Sequence, residues 1–288
     1  MMRVLAEDEW RARQRDHVAR VRRWTGPYQE RRSRGEKHPV HDFLFQYYPH
    51  RPAHLERWSP GPGVVLAGAA SEFLARPEFR ETAGGVVLGD LPAKQVPRVR
   101  ALLVLLEATA SRPPRLSCFG LHEWAMVYRQ APGQVRHNQL PLRLGASGTD
   151  TVVESLELRC GHYDAFRFFT PPARPRNALE PSRERQVELE QPGCLHANMD
   201  LYRAAFKLDP FVPSELVADC FELAVEIREL DMRASPYDLS GLGYSPVRIE
   251  TARGRAEYAR AQAAFAARAE PLRARLIEHC RTLLAQGQ

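Results

Sequence analysis

At 288 residues the chain is long enough to bury a substantial core without disulfide or metal staples. Its formal charge of +6, from 41 Lys/Arg against 35 Asp/Glu, permits an anionic partner such as DNA or a nucleotide without requiring one. No apolar run approaches the roughly 18 residues of a membrane span, the first residues turn charged too soon for a secretory signal, and five irregularly spaced cysteines do not suggest a disulfide framework, so a cytoplasmic protein with no membrane contact is expected.

Residues 1–35 form a charged segment, within which 5–34 predict one helix with Val4, Trp10, Val18, Val21 and Trp24 as apolar positions and Gly26-Pro27 as an interruption. Residues 1–40 hold eleven Lys/Arg and six Asp/Glu, a local balance of +5. Apart from Lys37, Lys94 and Lys207 every one of the chain's Lys/Arg positions is arginine, a bias that GC-rich codon usage produces, so packing of this helix on the body is favoured over a DNA-binding arm.

Residues 38–58 mix Phe43, Leu44, Phe45, Tyr47 and Tyr48 with His38, His41, His50 and His54, and Pro49 and Pro52 break any helix there. The β-branched runs 63–67 and 85–89 predict two strands paired around a short helical insert. Residues 97–110 predict an apolar helix, 116–129 a helix or strand-to-helix unit, and 149–159, by alternation, a strand. A proline-rich loop over 171–182 leads to a helix ending at Glu190, a turn at Gln191-Pro192-Gly193 and a helix over about 195–207. Ser214 is the expected cap of the next helix, whose Leu216, Val217, Cys220, Phe221, Ala224, Ile227 and Leu230 follow the 3.6-residue period. A short strand at 247–250 and a long helix over about 253–284 complete the pattern. The fold class is mainly α (α+β): a single helix-rich domain over 1–288 with a small β-sheet or hairpins, and a functional core within 115–235.

Three Cys/His-plus-acid clusters recur inside that core: Cys118/His122/Glu123, Cys160/His162/Asp164 and Cys194/His196/Asp200. On a helix Cys118 and His122, four apart, share a face. If the preceding strand continues, Cys160, His162 and Asp164 share another. His196 and Asp200 stand one helical turn apart, so that carboxylate can orient the imidazole or ligate with it. His122, His162 and His196 with Cys160 and Cys194 are the candidate ligands, and sulfur, imidazole and carboxylate together suit zinc or iron. A Cys118–His122 or Cys194–His196 thiolate–imidazolium pair is the alternative chemistry, and a wholly structural role for the clusters the third possibility. Cys220 and Cys280 sit among apolar positions and are expected in the core. Trp124 and Tyr128, then Tyr163 and Arg167 within YDAFRFF, interleave flat rings with guanidinium groups, as a flipped base and its phosphates require.

The strings CFGLHEWAMVYR, CGHYDAFRFFTP, QPGCLHANMDLYRAAFKL and ELDMRASPYDL, with EKHPVHDFLFQYYPHRPA near the start, resemble a bacterial, chiefly actinobacterial, family commonly labelled 3-methyladenine DNA glycosylase, over about residues 5–284. The resemblance implies hydrolysis of the N-glycosidic bond of an alkylated purine in DNA. Such a reaction needs a pocket, stacking rings and one carboxylate, for which Asp164, Asp200 and Glu123 are the candidates, with Trp124, Tyr128 and Tyr163 as stacking partners. The helix-hairpin-helix motif of other glycosylases is missing, since Gly241-Leu242-Gly243 runs into Tyr244-Ser245-Pro246. No catalytic residue is therefore carried over. A DNA base-processing hydrolase, a metal-dependent enzyme acting on a small molecule or nucleotide, and a non-catalytic binding protein remain, in that order.

Overall fold

Apolar residues at helical spacing dominate the chain, and the computed structural model, which describes residues 2–131, 134 and 139–286, is mainly helical: eleven α-helices and one four-stranded sheet among the described residues. The helix-rich chain packs as two compact units, one built from Met1–Leu106, Leu201–Glu222 and Pro271–Gln288, the other from Glu107–Asp200 and Leu223–Glu270. No helix among the described residues is long and apolar enough to cross a membrane.

The first unit begins with β1 (Arg3–Leu5) and α1 (Glu7–Ser33), followed by α2 (Phe43–Tyr47), α3 (Pro52–Leu55), β2 (Val64–Leu66), β3 (Phe79–Thr82), β4 (Gly85–Leu88) and most of α4 (Val96–Ala110). The sheet order is β1-β2-β4-β3. The two strands expected from sequence do pair, antiparallel, with Val65 opposite Val87 and Leu66 opposite Val86. Their insert holds a 3-10 turn (Ser71–Ala75) and the additional strand β3, while β1 adds to β2 in parallel. Trp10 of α1 is fully buried, donates its indole N–H to Ala67 O (2.9 Å) and meets Phe73 edge-on at 5.5 Å.

Contrary to expectation, Gly26-Pro27 does not interrupt α1. Thr25 and Tyr28 are buried on either side, and the Thr25 hydroxyl donates to Glu56 (2.6 Å), so packing holds a turn that proline alone would weaken. The arginines of α1 are largely matched: Arg13 pairs with Glu215 (2.8 Å), Arg20 with Asp219 (2.9 Å) and Glu222, Arg23 with Glu222 (2.7 Å) and Arg31 with Asp42. The positive front end is thus balanced within its own unit.

The second unit carries α5 (Leu121–Ala125), α6 (Gly145–Ser155), α7 (Tyr163–Phe166) and α8 (Gln186–Leu189), the beginning of α9 (Leu195–Leu208), the end of α10 (Ser214–Ala234) and the beginning of α11 (Ala252–Gln286). The strand expected over 149–159 is instead mostly α6: Thr149, Val152 and Val153 are buried at i, i+3 and i+4, a helical stripe that the alternation masked. Nor is 247–250 a strand. Val247 N–H bonds to Arg233 O (2.8 Å) and Ile249 N–H to Val247 O (3.0 Å), a turn leading into α11. Ser214 opens α10 but does not cap it; its hydroxyl accepts from Ser59 N–H (2.8 Å) and donates to Arg57 O (3.3 Å).

Candidate functional site

All the chemistry-bearing clusters lie in the second unit. Cys118 is not on a helix with His122. It precedes α5, separated by Phe119 and Gly120, both left-handed (φ 50° and 73°). At Gly120 a Cβ would also approach the Tyr258 ring to 3.2 Å, so the tight turn is held from outside. The turn folds Cys118 Sγ back to 3.3 Å from His122 Nδ1. The opposite ring nitrogen, Nε2, stands 2.9 Å from Asp231 Oδ1 of α10.

Asp231 belongs to a buried ionic group. Arg228, one turn earlier, places Nη1 2.8 Å from Glu123 Oε1 and 3.7 Å from Asp231 Oδ2, and all three side chains are less than a tenth exposed. The His196 ring, in the first turn of α9, meets His122 edge-on at 4.5 Å and stacks on His162 at 5.2 Å with 27° between planes. His162 stands in extended conformation immediately before α7. Its Nε2 lies 3.3 Å from Asp200 Oδ2 and 3.5 Å from Glu190 Oε1.

Two trios of potential ligands result, His122/His196/Asp231 and His162/Glu190/Asp200, each with ligand atoms within 4.8 Å of one another. All six residues are buried except Asp200, which is half-buried. Burial alone would depress His122, but Asp231, with Cys118 beside it, holds its pKa well above the ordinary value. His162 is also opposed by burial and raised by Asp200 and Glu190. His196, buried against His122, is pushed well down and stays neutral.

Beside the trios lies a cavity of about 230 Å³. Its wall includes Cys118, Cys160 and Cys194, the imidazoles of His122 and His196, and Glu190, Tyr258 and Gln262. Next to the lining residue Cys194, Gly193 packs closely on Arg115: a Cβ there would stand 2.7 Å from Arg115 O. The three Cys/His clusters therefore converge, as their repetition suggested, although their internal pairings differ from those expected. Asp200 serves His162 rather than His196. The chain turns into α7 at Tyr163, so Asp164 leaves the face of Cys160 and His162 and pairs with Arg167 at 3.2 Å. Glu123 is taken by Arg228. Cys160 and Cys194 line the cavity but belong to neither trio, and Cys160 Sγ lies 3.6 Å from His162 O.

The aromatic candidates disperse. Trp124 is wholly buried, with its N–H on Ala234 O (2.9 Å), and Tyr128 is equally buried with its hydroxyl on Glu154 (2.7 Å), so both serve the core rather than the cavity wall. Tyr163 is half-buried under Arg183, and Arg167 is exposed over Phe168. Cys220 and Cys280 are fully buried, as expected.

Asp231, Arg228 and Glu190 were not singled out from sequence. A signal existed for two of them. Arg228 and Asp231 prolong the stripe of Val217, Cys220, Phe221, Ala224 and Ile227 at helical spacing, and charges on a buried stripe must find partners. Comparison of the chain with family models, with curated proteins and with solved structures gives no match.

Proposed function

We propose that this protein is a metal-dependent hydrolase, acting in the cytoplasm on a small molecule or nucleotide, with a cation held by His122, His196 and Asp231 as its reactive centre. One observation carries this: three ligand atoms within 4.8 Å of one another, two of them on imidazoles that line a cavity. Three protein ligands with an open side are the pattern of a catalytic rather than a closed structural site. Two imidazoles and one carboxylate favour zinc or iron. Such an ion supplies Lewis acidity and an acidified water.

The chain's own groups prepare the site. Arg228 and Glu123 fix the Asp231 carboxylate, and Cys118 on Nδ1 of His122 turns Nε2 towards the ligand position. At roughly 30 Å³ per water, the cavity of about 230 Å³ has room for about seven waters, below the ~300 Å³ of drug-sized pockets. It suits a small substrate or a single base. The five free cysteines support the cytoplasmic setting.

The test is the metal content of purified protein, wild type against His196→Ala and Asp231→Asn, with circular dichroism as the folding control. The wild type should bind zinc or iron, and each variant should bind one equivalent fewer. Wild-type protein that takes up neither metal refutes the proposal. The metal-loaded enzyme is then assayed for release of 3-methyladenine from alkylated DNA, the substrate class that the sequence resemblance implies, and for nucleoside hydrolysis.

A second reading, covalent catalysis by Cys118, is favoured by the Cys118 Sγ–His122–Asp231 alignment at 3.3 and 2.9 Å. It requires that iodoacetamide label Cys118 selectively in metal-free protein and that His122→Ala abolish the selectivity. Equal labelling in both proteins excludes it.

A further inference from the structure

We infer that His162, Glu190 and Asp200 form a second divalent-cation site, adjacent to the first trio and independent of it. The inference stands on the geometry of these three residues and goes beyond the reactive centre proposed above.

Proton counting comes first. His162 Nε2 faces two carboxylate oxygens at once, Asp200 Oδ2 at 3.3 Å and Glu190 Oε1 at 3.5 Å. One ring nitrogen carries at most one proton, so it cannot donate well to both. Both separations also exceed the ~2.7–2.9 Å of a charge-assisted hydrogen bond. They match a coordination sphere instead. With ligands about 2.0–2.2 Å from an ion, two of them stand ~3.3–3.6 Å apart at tetrahedral angles and ~2.8–3.1 Å apart at right angles.

Electrostatics point the same way. His162 and Glu190 are buried (1% and 4% exposed side chains) and Asp200 nearly so (14%). Two carboxylates brought together out of water disfavour each other's ionisation, although Glu190 Oε1 also accepts from the Gln186 side-chain amide. A divalent cation between them favours the ionised form of both. His162 Nδ1 is buried and makes no hydrogen bond to a described residue, so no carbonyl or carboxylate fixes the ring from behind. The ring is held by stacking on His196 and by the contacts at Nε2.

The backbone brings the two sites side by side. Glu190 ends α8 just before the Gln191-Pro192-Gly193 turn, and α9 begins directly after it. α9 then offers His196 to the first trio and Asp200, one turn later, to the second, a rise of about 6 Å along the axis. One imidazole with two carboxylates is a harder ligand set than two imidazoles with one, so the second site suits manganese(II), iron(II) or zinc(II).

The experiment is equilibrium dialysis of chelator-stripped full-length protein against manganese(II) or zinc(II), with bound metal counted. Wild type, Asp200→Asn, Glu190→Gln and His196→Ala are compared after circular dichroism has verified their folds. Asp200→Asn and Glu190→Gln should each bind one equivalent fewer than wild type, whose full complement is two. Unchanged stoichiometry in both folded variants overturns the inference and leaves the reactive-centre proposal standing. A single equivalent, lost from Asp200→Asn but kept in His196→Ala, supports this site and refutes that centre. Should either carboxylate variant fail to fold, electron paramagnetic resonance of the manganese-loaded wild type decides. A coupled two-ion spectrum supports the second site; isolated ions, whether two equivalents or one that His196→Ala abolishes, overturn it.

Discussion

Replacing Arg228 by methionine removes the guanidinium that bridges two buried carboxylates while keeping much of the side chain's apolar volume. Nη1 lies 2.8 Å from Glu123 Oε1 and 3.7 Å from Asp231 Oδ2, and the Arg228 side chain is 2% exposed. At an effective dielectric of about 20, unit charges ~4 Å apart interact by roughly 4 kcal/mol. Breaking a buried pair by deleting one partner costs about 3–5 kcal/mol. The two magnitudes agree, so Arg228→Met should lower unfolding stability at pH 7 by about 3–5 kcal/mol. Adding Glu123→Gln removes one of the stranded charges, and the double variant should be less destabilised than the sum of the single ones. Urea unfolding followed by circular dichroism and by tryptophan fluorescence measures both quantities. Metal-free protein is used, so that lost ligand binding does not enter. A loss below about 1 kcal/mol, or strict additivity, would refute the assignment of Arg228 as the charge that holds Glu123 and Asp231 in place.

Two further outcomes are expected. Burial, with His54 and Arg57 nearby, holds His50 down at about 4. A histidine depressed in the folded state stays neutral while the unfolded chain protonates near 6.5, so its contribution is lost as pH falls from about 6.5 towards 4, by roughly 2 kcal/mol between pH 7 and 5. His50→Phe, which retains the stack on Phe206 (4.7 Å, 5°), should flatten that acid limb by this amount, and its lost bond to Tyr202 should appear as a pH-independent offset. Identical pH slopes in urea unfolding would contradict it. At Gly193 an added Cβ would stand 2.7 Å from Arg115 O and 2.9 Å from Arg115 N, both backbone, so Gly193→Ala should destabilise by about 1–3 kcal/mol, and an unchanged thermal midpoint would refute the close approach.

The elements legible in the sequence were those whose apolar residues repeat over several turns. α4, α9, α10 and α11 stand close to the bounds their periodicity predicts. The failures occur where two periods fit one string or where nothing is buried. Residues 149–159 alternate, yet Thr149, Val152 and Val153 also satisfy a helix, and the sheet among the described residues draws its strands from elsewhere. β1 leaves Arg3 and Val4 exposed, and β3 leaves Arg80 and Glu81 exposed, so neither could announce itself by hydrophobic pattern.

The site divides along the same line. Its histidines were legible because a local motif repeats, and the convergence of His122, His162 and His196 follows from all three clusters lying in one unit. Their carboxylates were not, because partnership is tertiary: Asp231 is 109 positions from His122, and Asp200 is 38 from His162. Local pairing at i+4 or i+2 was the natural guess for Asp200 and Asp164, and packing overrode it. What the sequence did contain was misplacement. Arg228 and Asp231 occupy the buried stripe of an otherwise apolar helix, where each charge is tolerated only with a partner. A lone charge on such a stripe demands one counter-charge. Two opposite charges one turn apart could satisfy each other, yet here Arg228 lies closer to Glu123 (2.8 Å) than to Asp231 (3.7 Å), and Asp231 hydrogen-bonds His122. That division leaves Asp231 Oδ2 without a hydrogen bond among the described residues, and makes it the atom around which a cation centre is best tested.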